Sequence, residues 1–159
     1  MIKQKQQYLT VQEALPKMAA FCAYQDRCHQ EVIEKLELLG INDDEALEVV
    51  SFLIKEKYLD EERFARTYAR SKFRHKHWGR LKIKQALKHK GLNDTCIKLG
   101  LSEIDPNEYY EHLSDYAQKK LSSLQNDKNA TFKTIQFLVG KGFEYNLITE
   151  VLSDLKSDL

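Results

Sequence analysis

Residues that break helices are scarce in this sequence, which has two prolines and six glycines among 159 residues. Hydrophobic residues make up 42% of the chain and charged residues 31%. A disordered chain is poorer in hydrophobic residues, and a turn-rich β fold needs more glycine and proline. The composition therefore favours a folded helical protein.

Long apolar runs and enzyme motifs are also missing. No run approaches the roughly 20 apolar residues that span a bilayer, and the first residues, 1–7, lack the apolar stretch of a secretory signal. The chain contains no GxxxxGK[ST], GxSxG, HExxH or GxGxxG motif. We therefore expect a cytoplasmic protein without membrane contact, catalytic residues or a cofactor.

Cysteine and histidine are arranged too sparsely to predict a metal site. Cys22, Cys28 and Cys96 are odd in number and lack CxxC spacing. This favours reduced thiols, packed as small apolar residues, over a disulfide framework or over metal and redox chemistry. The histidines of residues 75–89 lie in a basic segment without the compact Cys, His and carboxylate spacing of a zinc site. We predict that they face solvent or phosphate.

Acidic residues are absent from one long segment, although the whole chain has a net charge of only +1. Residues 63–90 contain eleven Lys or Arg and no Asp or Glu, whereas residues 31–62 contain eleven acids and three bases. A local positive field attracts phosphate or an acidic partner while the whole protein stays close to neutral. Residues 63–90 are therefore the first candidate for a binding surface.

The sequence repeats with a period of 51 residues, which separates Gly40, Gly91 and Gly142. A glycine just past a helix end adopts the left-handed conformation, and the apolar residue after it folds back on the residue five positions earlier. The apolar columns that keep this period include Leu36, Leu87 and Leu138, then Ile41, Leu92 and Phe143. Each repeat is therefore predicted to contain a helix, a glycine turn and a second helix, with the leucines of the first column buried.

Capping residues mark where several helices begin. Asn42 and Asn93 each offer a side-chain oxygen to the helix after a glycine turn, whereas Glu144 is a weaker cap in the third repeat. Pro106 suits the first position of a helix. Pro16, in contrast, is expected to kink or restart the first helix.

Together these patterns predict an all-α protein with nine helices and no strand. The expected fold is one unit (1–159) of three tandem three-helix repeats, at about 10–57, 58–104 and 105–157, in an elongated, curved, right-handed or solenoid-like stack. The predicted helices lie at residues 11–26, 29–39, 43–57, 61–76, 80–90, 94–103, 106–125, 130–141 and 145–156.

Residues 58–65, Tyr-Leu-Asp-Glu-Glu-Arg-Phe-Ala, resemble the Leu-Asp-Asp-x-x-Phe-Ala signature of the RecX family, with Glu61 in place of the second Asp. Residues 78–92 are similar to the family's second-repeat helix, which ends in Leu-x-x-Lys-Gly-Ile. Residues 27–32 resemble its Arg-Ser-x-x-Glu-Leu helix start, with Cys28 where the family commonly has Ser. Cysteine accepts hydrogen bonds poorly, so this cap is expected to be weak.

The resemblance implies a three-by-three helical fold whose members bind the groove of the RecA filament on single-stranded DNA. There they suppress strand exchange without contributing catalytic residues. The chain is thus expected to be a monomeric regulator, mainly an inhibitor, of RecA in homologous recombination, DNA repair and the SOS response. Its expected partners are the RecA filament and single-stranded DNA, with double-stranded DNA as a further ligand. Filament capping, groove binding and disassembly remain open.

The basic segment supplies the candidate binding residues. Arginines recur every three or four positions on the helix at 61–76, and basic residues recur every four positions on the helix at 80–90. One such stripe is ordinarily a solvated face, but two adjoining stripes without an internal acid repel each other and favour a phosphate-bearing partner. The residues predicted to bind DNA or the RecA filament are Arg63, Arg66, Arg70, Arg74, Lys76, Trp78, Arg80, Lys82, Lys84, Lys88 and Lys90.

Two questions stay open at this point. Trp78, the only tryptophan, either stacks on a base or, as is more common, staples a helix start against the core. For the whole protein, two alternatives to a RecA regulator stay open. It is either a general nucleic-acid-binding helical repeat or a protein-interaction scaffold without DNA contact.

Overall fold

The computed structural model describes residues 8–158, so the segment 1–7, where no secretory signal is expected, lies outside the described residues. Within them the regular structure is entirely helical, which confirms the predicted all-α fold. Every predicted helix boundary lies within two residues of an observed one. The helices are α1 (Val11–Tyr24), α2 (His29–Leu38), α3 (Asp43–Lys55), α4 (Glu61–Lys76), α5 (Arg80–His89), α6 (Asp94–Leu101), α7 (Pro106–Ser123), α8 (Ala130–Gly140) and α9 (Tyr145–Ser157). The curvature and handedness of the stack stay predictions.

The glycine turns form as predicted. Gly40, Gly91 and Gly142 have φ angles of 77°, 82° and 95°, in the left-handed region that favours glycine. After each glycine, the backbone N–H of the next residue donates to the carbonyl five positions earlier, at 3.0 to 3.2 Å. The leucines that carry these carbonyls are Leu36, Leu87 and Leu138, and all three are fully buried. The three turns are therefore equivalent.

Helix caps form at the two predicted asparagines, and α1 continues past Pro16. Asn42 and Asn93 accept hydrogen bonds of 2.9 and 2.8 Å from backbone N–H groups in the first turns of α3 and α6. Pro16 lies inside α1, which continues without a restart to Tyr24. The missing N–H of a proline removes one helical hydrogen bond, whereas the buried face of α1, which includes Met18, packs into the core on both sides of it. Of the two expected effects of Pro16, the restart is therefore wrong, and the kink stays a prediction.

The core consists of two clusters of buried side chains. One belongs to the first helical triplet and takes in Leu59 from the chain that leads into α4. The other is shared by the second and third triplets and takes in Cys28 from the start of α2. Each cluster thus contains a residue from the neighbouring triplet, which links the first triplet to the second.

Within a triplet the first and third helices pack together, most closely α4 and α6. Gly100 of α6 lies against the backbone of Ala65 in α4, where an added Cβ would come within 2.7 Å of the Ala65 carbonyl oxygen. This close approach fixes α4, which carries most of the arginines of the predicted site.

Candidate nucleic-acid interface

The predicted basic surface was expected to have no acidic residues beside its basic ones. This expectation was wrong. Carboxylates from other segments approach six of the eleven basic residues between 63 and 90. The ion pairs are Arg63 with Asp26 (2.9 Å), Arg66 with Glu62 (3.0 Å) and Glu103 (2.9 Å), Arg70 with Glu103 (3.4 Å), Arg74 with Glu108 (3.5 Å), Arg80 with Glu144 (2.6 Å) and Lys90 with Glu31 (3.1 Å). All five arginines are paired, so mutual repulsion on this surface is relieved inside the protein.

Two of these pairs join the second triplet to the first. Arg63 contacts Asp26, which also accepts a 3.0 Å hydrogen bond from the Thr67 hydroxyl. Burial alone lowers the pKa of the Lys90 ammonium, but the carboxylate of Glu31 outweighs that effect and the pKa is raised. Lys90 therefore stays charged and binds Glu31 at the joint between the first and second triplets.

Glu61, from the signature segment, completes this joint. Its carboxylate accepts a 3.2 Å hydrogen bond from the backbone N–H of His29 and lies 3.2 Å from the imidazole Nδ1 of the same residue. Cys28 precedes His29 and makes no side-chain cap, as its weak acceptor predicts. The start of α2 is therefore capped from the following triplet.

Arg80 joins the second triplet to the third. Its guanidinium lies 2.6 Å from Glu144, and its carbon is 4.1 Å from the ring centroid of Tyr109. Burial lowers the pKa of this guanidinium, but Glu144 more than offsets the effect, so Arg80 stays charged. Glu144 makes no cap for α9 because its carboxylate serves this joint instead.

Five lysines of the same segment stand apart from the arginines. Within residues 8–158 no carboxylate lies within the 4.0 Å of an ion pair from any of them. Three are exposed and two are half-buried. They are Lys72, Lys76, Lys82, Lys84 and Lys88. The positive charge available to a ligand is therefore carried by lysines, one of which, Lys72, was not among the predicted site residues.

Trp78 has the packing of a helix staple, one of its two predicted roles, and base stacking stays a prediction. Its ring is half-buried and packs against the shared core of the second and third triplets, as a staple does. The ammonium groups of Lys72 and Lys82 lie 5.0 and 4.6 Å from the ring centroid. Trp78 thereby positions two lysines, and its remaining exposed surface lies beside them.

Lys84 and Lys88 line a cleft between α5 and α6. The cleft has a volume of about 370 Å³ and is also lined by Lys98, Leu101 and one acid, Asp94. Lys98 lies outside the acid-free segment, so the charge pattern did not single it out. Its position on α6, one turn after the Asn93 cap, brings it beside the lysines of α5.

The three cysteines are free thiols. Burial raises the thiol pKa of Cys22, Cys28 and Cys96, so these side chains are neutral thiols near pH 7. Within residues 8–158 no three His, Cys, Asp or Glu side chains are grouped as metal ligands. In the same part of the chain, no helix is long and apolar enough to cross a membrane.

Family models match two parts of this chain. The model described as RecX, second three-helix domain, covers residues 60–101, and the model described as RecX, third three-helix domain, covers residues 107–152. Together they span more than half of the sequence. These ranges contain α4 to α6 and most of α7 to α9.

A curated protein and a crystal structure that carry the same family name are also similar to this chain. Regulatory protein RecX of Clostridium botulinum (strain Eklund 17B) is 31% identical over 132 residues, which is 80% of this chain and 61% of that protein. This chain spans about three-fifths of the length of the first curated relatives that it matches. The crystal structure of RecX from Lactobacillus salivarius is similar with a TM-score of 0.84 and 26% identity, over 92% of this chain and 96% of that one.

Proposed function

The chain belongs to the RecX family, and from this premise we propose that it regulates the RecA recombinase, mainly as an inhibitor, by binding the RecA filament on single-stranded DNA. It acts by binding rather than by catalysis. The RecA part of this proposal rests on the family, whose signature corresponds to residues 58–65 of this chain. The DNA part rests on the surface of the second triplet.

The observation that carries the DNA contact is the set of five lysines without a carboxylate partner in the described residues, at positions 72, 76, 82, 84 and 88. The arginines beside them are already paired, so only the lysines can gain a counter-ion without giving one up. Phosphate is the anion that single-stranded DNA offers at every step of its backbone. Lysine binds it as a point charge, which needs no fixed geometry.

The arginines support the same function indirectly. Arg63 and Arg80 connect the second triplet to the first and third through Asp26 and Glu144. A rigid arrangement of triplets keeps the lysines of α4 and α5 at fixed distances, which lowers the entropy lost when they bind a repeating polymer. The arginines thus stabilise the surface that the lysines present.

The test compares three ligands at one salt concentration: a labelled oligodeoxythymidylate, RecA alone, and a filament assembled from both. We expect the protein to bind the filament more tightly than either component and to inhibit strand exchange over the same concentration range. Tighter binding to the oligonucleotide alone would favour a general nucleic-acid-binding repeat. Equal binding to RecA with and without DNA would favour a protein scaffold, and either result would overturn the proposed function.

A further inference from the structure

A second basic cavity lies mainly in the third triplet, next to its contact with the second. It has a volume of about 270 Å³ and opens between the α4–α5 linker, α7 and α8. Its lining includes His77, Tyr116, Lys119, Lys120, Phe137 and Lys141. We propose that this cavity binds one unstacked base of single-stranded nucleic acid together with its neighbouring phosphates, which deepens the proposed function and rests on it.

The charge of the cavity selects an anion. Three lysines and one imidazole line it, and its lining residues include no Asp or Glu. In the described part of the chain, no carboxylate pairs with Lys119, Lys120 or Lys141. Like charges held close together repel one another, and a bound polyanion relieves that repulsion. This set of lysines therefore favours phosphate.

The aromatic wall selects a ligand that also has a ring. Phe137 is 38% exposed, although a phenyl group gains by burial. The ammonium groups of Lys120 and Lys141 lie 4.7 and 5.7 Å from its ring centroid. Tyr116, which also lines the cavity, forms a hydrogen bond with the Nδ1 of His77. A base that stacks on Phe137 takes the place of an ammonium group over that ring, and its phosphates are then within reach of the displaced lysine.

A single strand fits the cavity better than a duplex. At about 270 Å³ the cavity is just below the roughly 300–1,000 Å³ of sites for drug-sized ligands, so it accepts a small ring rather than a larger ligand. In a duplex the bases are stacked and paired, so none is free to enter. An acidic peptide matches the lysines but offers Phe137 a ring only where an aromatic residue stands among its acids, whereas single-stranded nucleic acid has a base beside every phosphate.

The cavity also continues the lysine surface. His77 of the lining directly follows Lys76, and an added Cβ on Gly142, next to Lys141, would meet the Cβ of Lys82 at 2.3 Å. A single strand of nucleic acid that is bound along the second triplet therefore reaches the cavity at the contact between α5 and the α8–α9 turn. The sequence pattern missed these residues because they come from three separate segments.

The test uses Phe137→Ala, with Phe132→Ala as its matched control. Phe132 is on the same helix, is 61% exposed and does not line the cavity. The probe is an oligodeoxythymidylate containing one 2-aminopurine, whose fluorescence reports stacking on an aromatic side chain. Phe137→Ala should weaken binding by about 5- to 150-fold, the equivalent of roughly 1–3 kcal/mol per stacked base, and should abolish the quenching. Phe132→Ala should bind as the parent does.

A second pair of variants separates phosphate from ring recognition. Lys120→Gln with Lys141→Gln should make the salt dependence of oligonucleotide binding less steep, by about 0.7 in the log–log slope per lost phosphate contact. Equal affinity of the Phe137 and Phe132 variants would overturn the proposal. Competition by inorganic phosphate or polyglutamate as effective as that of the oligonucleotide would also overturn it, because the ring would then be irrelevant.

The same proteins distinguish this site from the proposed function. Both phenylalanine variants are also tested for binding to the RecA filament. If the parent binds the filament but Phe137→Ala binds the oligonucleotide normally, the cavity proposal fails and the RecA function stands. If Phe137→Ala loses oligonucleotide binding while the parent shows no preference for the filament, the cavity proposal stands and the RecA function fails.

Discussion

The hydroxyl of Tyr109 donates a 2.7 Å hydrogen bond to Glu144, which lies 35 residues further along the chain. The same hydroxyl accepts a 3.1 Å hydrogen bond from the backbone N–H of Arg80, at the start of α5. Tyr109 is almost completely buried. One tyrosine of α7 therefore satisfies an orphan N–H of the second triplet and a carboxylate of the third.

Tyr109→Phe should destabilise the protein because it leaves the Arg80 N–H without its partner and removes one of the two hydrogen bonds that the Glu144 carboxylate accepts. Losing a partner of a buried polar group costs roughly 1–3 kcal/mol, and we expect a loss of that size in the free energy of unfolding by urea. Tyr110→Phe is the control, since its hydroxyl bonds to Asp154 in a more exposed position. A Tyr109 variant as stable as the Tyr110 variant would contradict the role of this joint.

Stability should fall in alkaline solution for a related reason. Burial raises the pKa of Tyr109, and the hydrogen bond to Asp154 raises the pKa of Tyr110 to about 12. An unfolded tyrosine ionises near pH 10, so above about pH 10 the unfolded chain releases protons that the folded protein keeps. The free energy of unfolding therefore decreases as pH rises through that range. In urea titrations at several pH values, Tyr109→Phe should show a shallower decrease than the parent.

Gly79 is predicted to be indispensable at the joint between the second and third triplets. An added Cβ would lie 2.3 Å from the backbone carbon and oxygen of Gly142, and the Gly79 N–H donates to the Lys141 carbonyl at 2.7 Å. Gly79→Ala should therefore cost about 1–3 kcal/mol through overpacking. Gly140→Ala, where nothing lies within 4 Å, should instead stabilise α8 slightly. Thermal melts of the two variants should shift in opposite directions.

The repeated leucine column gives a packing prediction. Leu87 is fully buried, so Leu87→Ala should lower the free energy of unfolding by roughly 2–5 kcal/mol. Leu81, on the same helix, is 52% exposed, and its replacement by Ala should have a much smaller effect. Equal melting temperatures of the two variants would contradict the packing of Leu87 in the core.

The sequence predicts the turns well because their causes are local. Leu87, Gly91 and Leu92 lie within six residues of one another, and both the left-handed glycine and the hydrogen bond across it are short-range features. Thr134 also follows from the period, since it takes the place of Val32 and Ile83 and is buried although it is polar.

Apart from Arg66 with Glu62, which are four residues apart, the ion pairs could not be predicted because their partners are distant in sequence. Arg66 and Glu103 are separated by 37 residues, and Arg80 and Glu144 by 64. The count of charges within residues 63–90 is correct, but it says nothing of acids that the fold brings in from other helices. Only the three-dimensional arrangement separates the paired arginines from the lysines.

That separation can be tested directly with two sets of substitutions. Replacing Lys76, Lys84 and Lys88 by Gln removes three exposed charges that have no carboxylate partner in the described residues. Their removal should weaken binding to single-stranded DNA and to the RecA filament while the melting temperature stays unchanged. The log–log salt slope should become less steep by about 2, at roughly 0.7 for each phosphate contact.

The double variant Arg66→Gln with Arg70→Gln should behave in the opposite way. Both arginines bond to Glu103, whose side chain is only 24% exposed, so their loss leaves a half-buried carboxylate without a counter-charge. We expect a lower melting temperature with little change in the salt slope. The control for the lysine set is Lys17, Lys55 and Lys156 replaced by Gln, which removes the same charge from exposed positions in the first and third triplets. If that control weakens binding as much as the first set, binding depends on total charge, and the lysines of the second triplet are a solvated face.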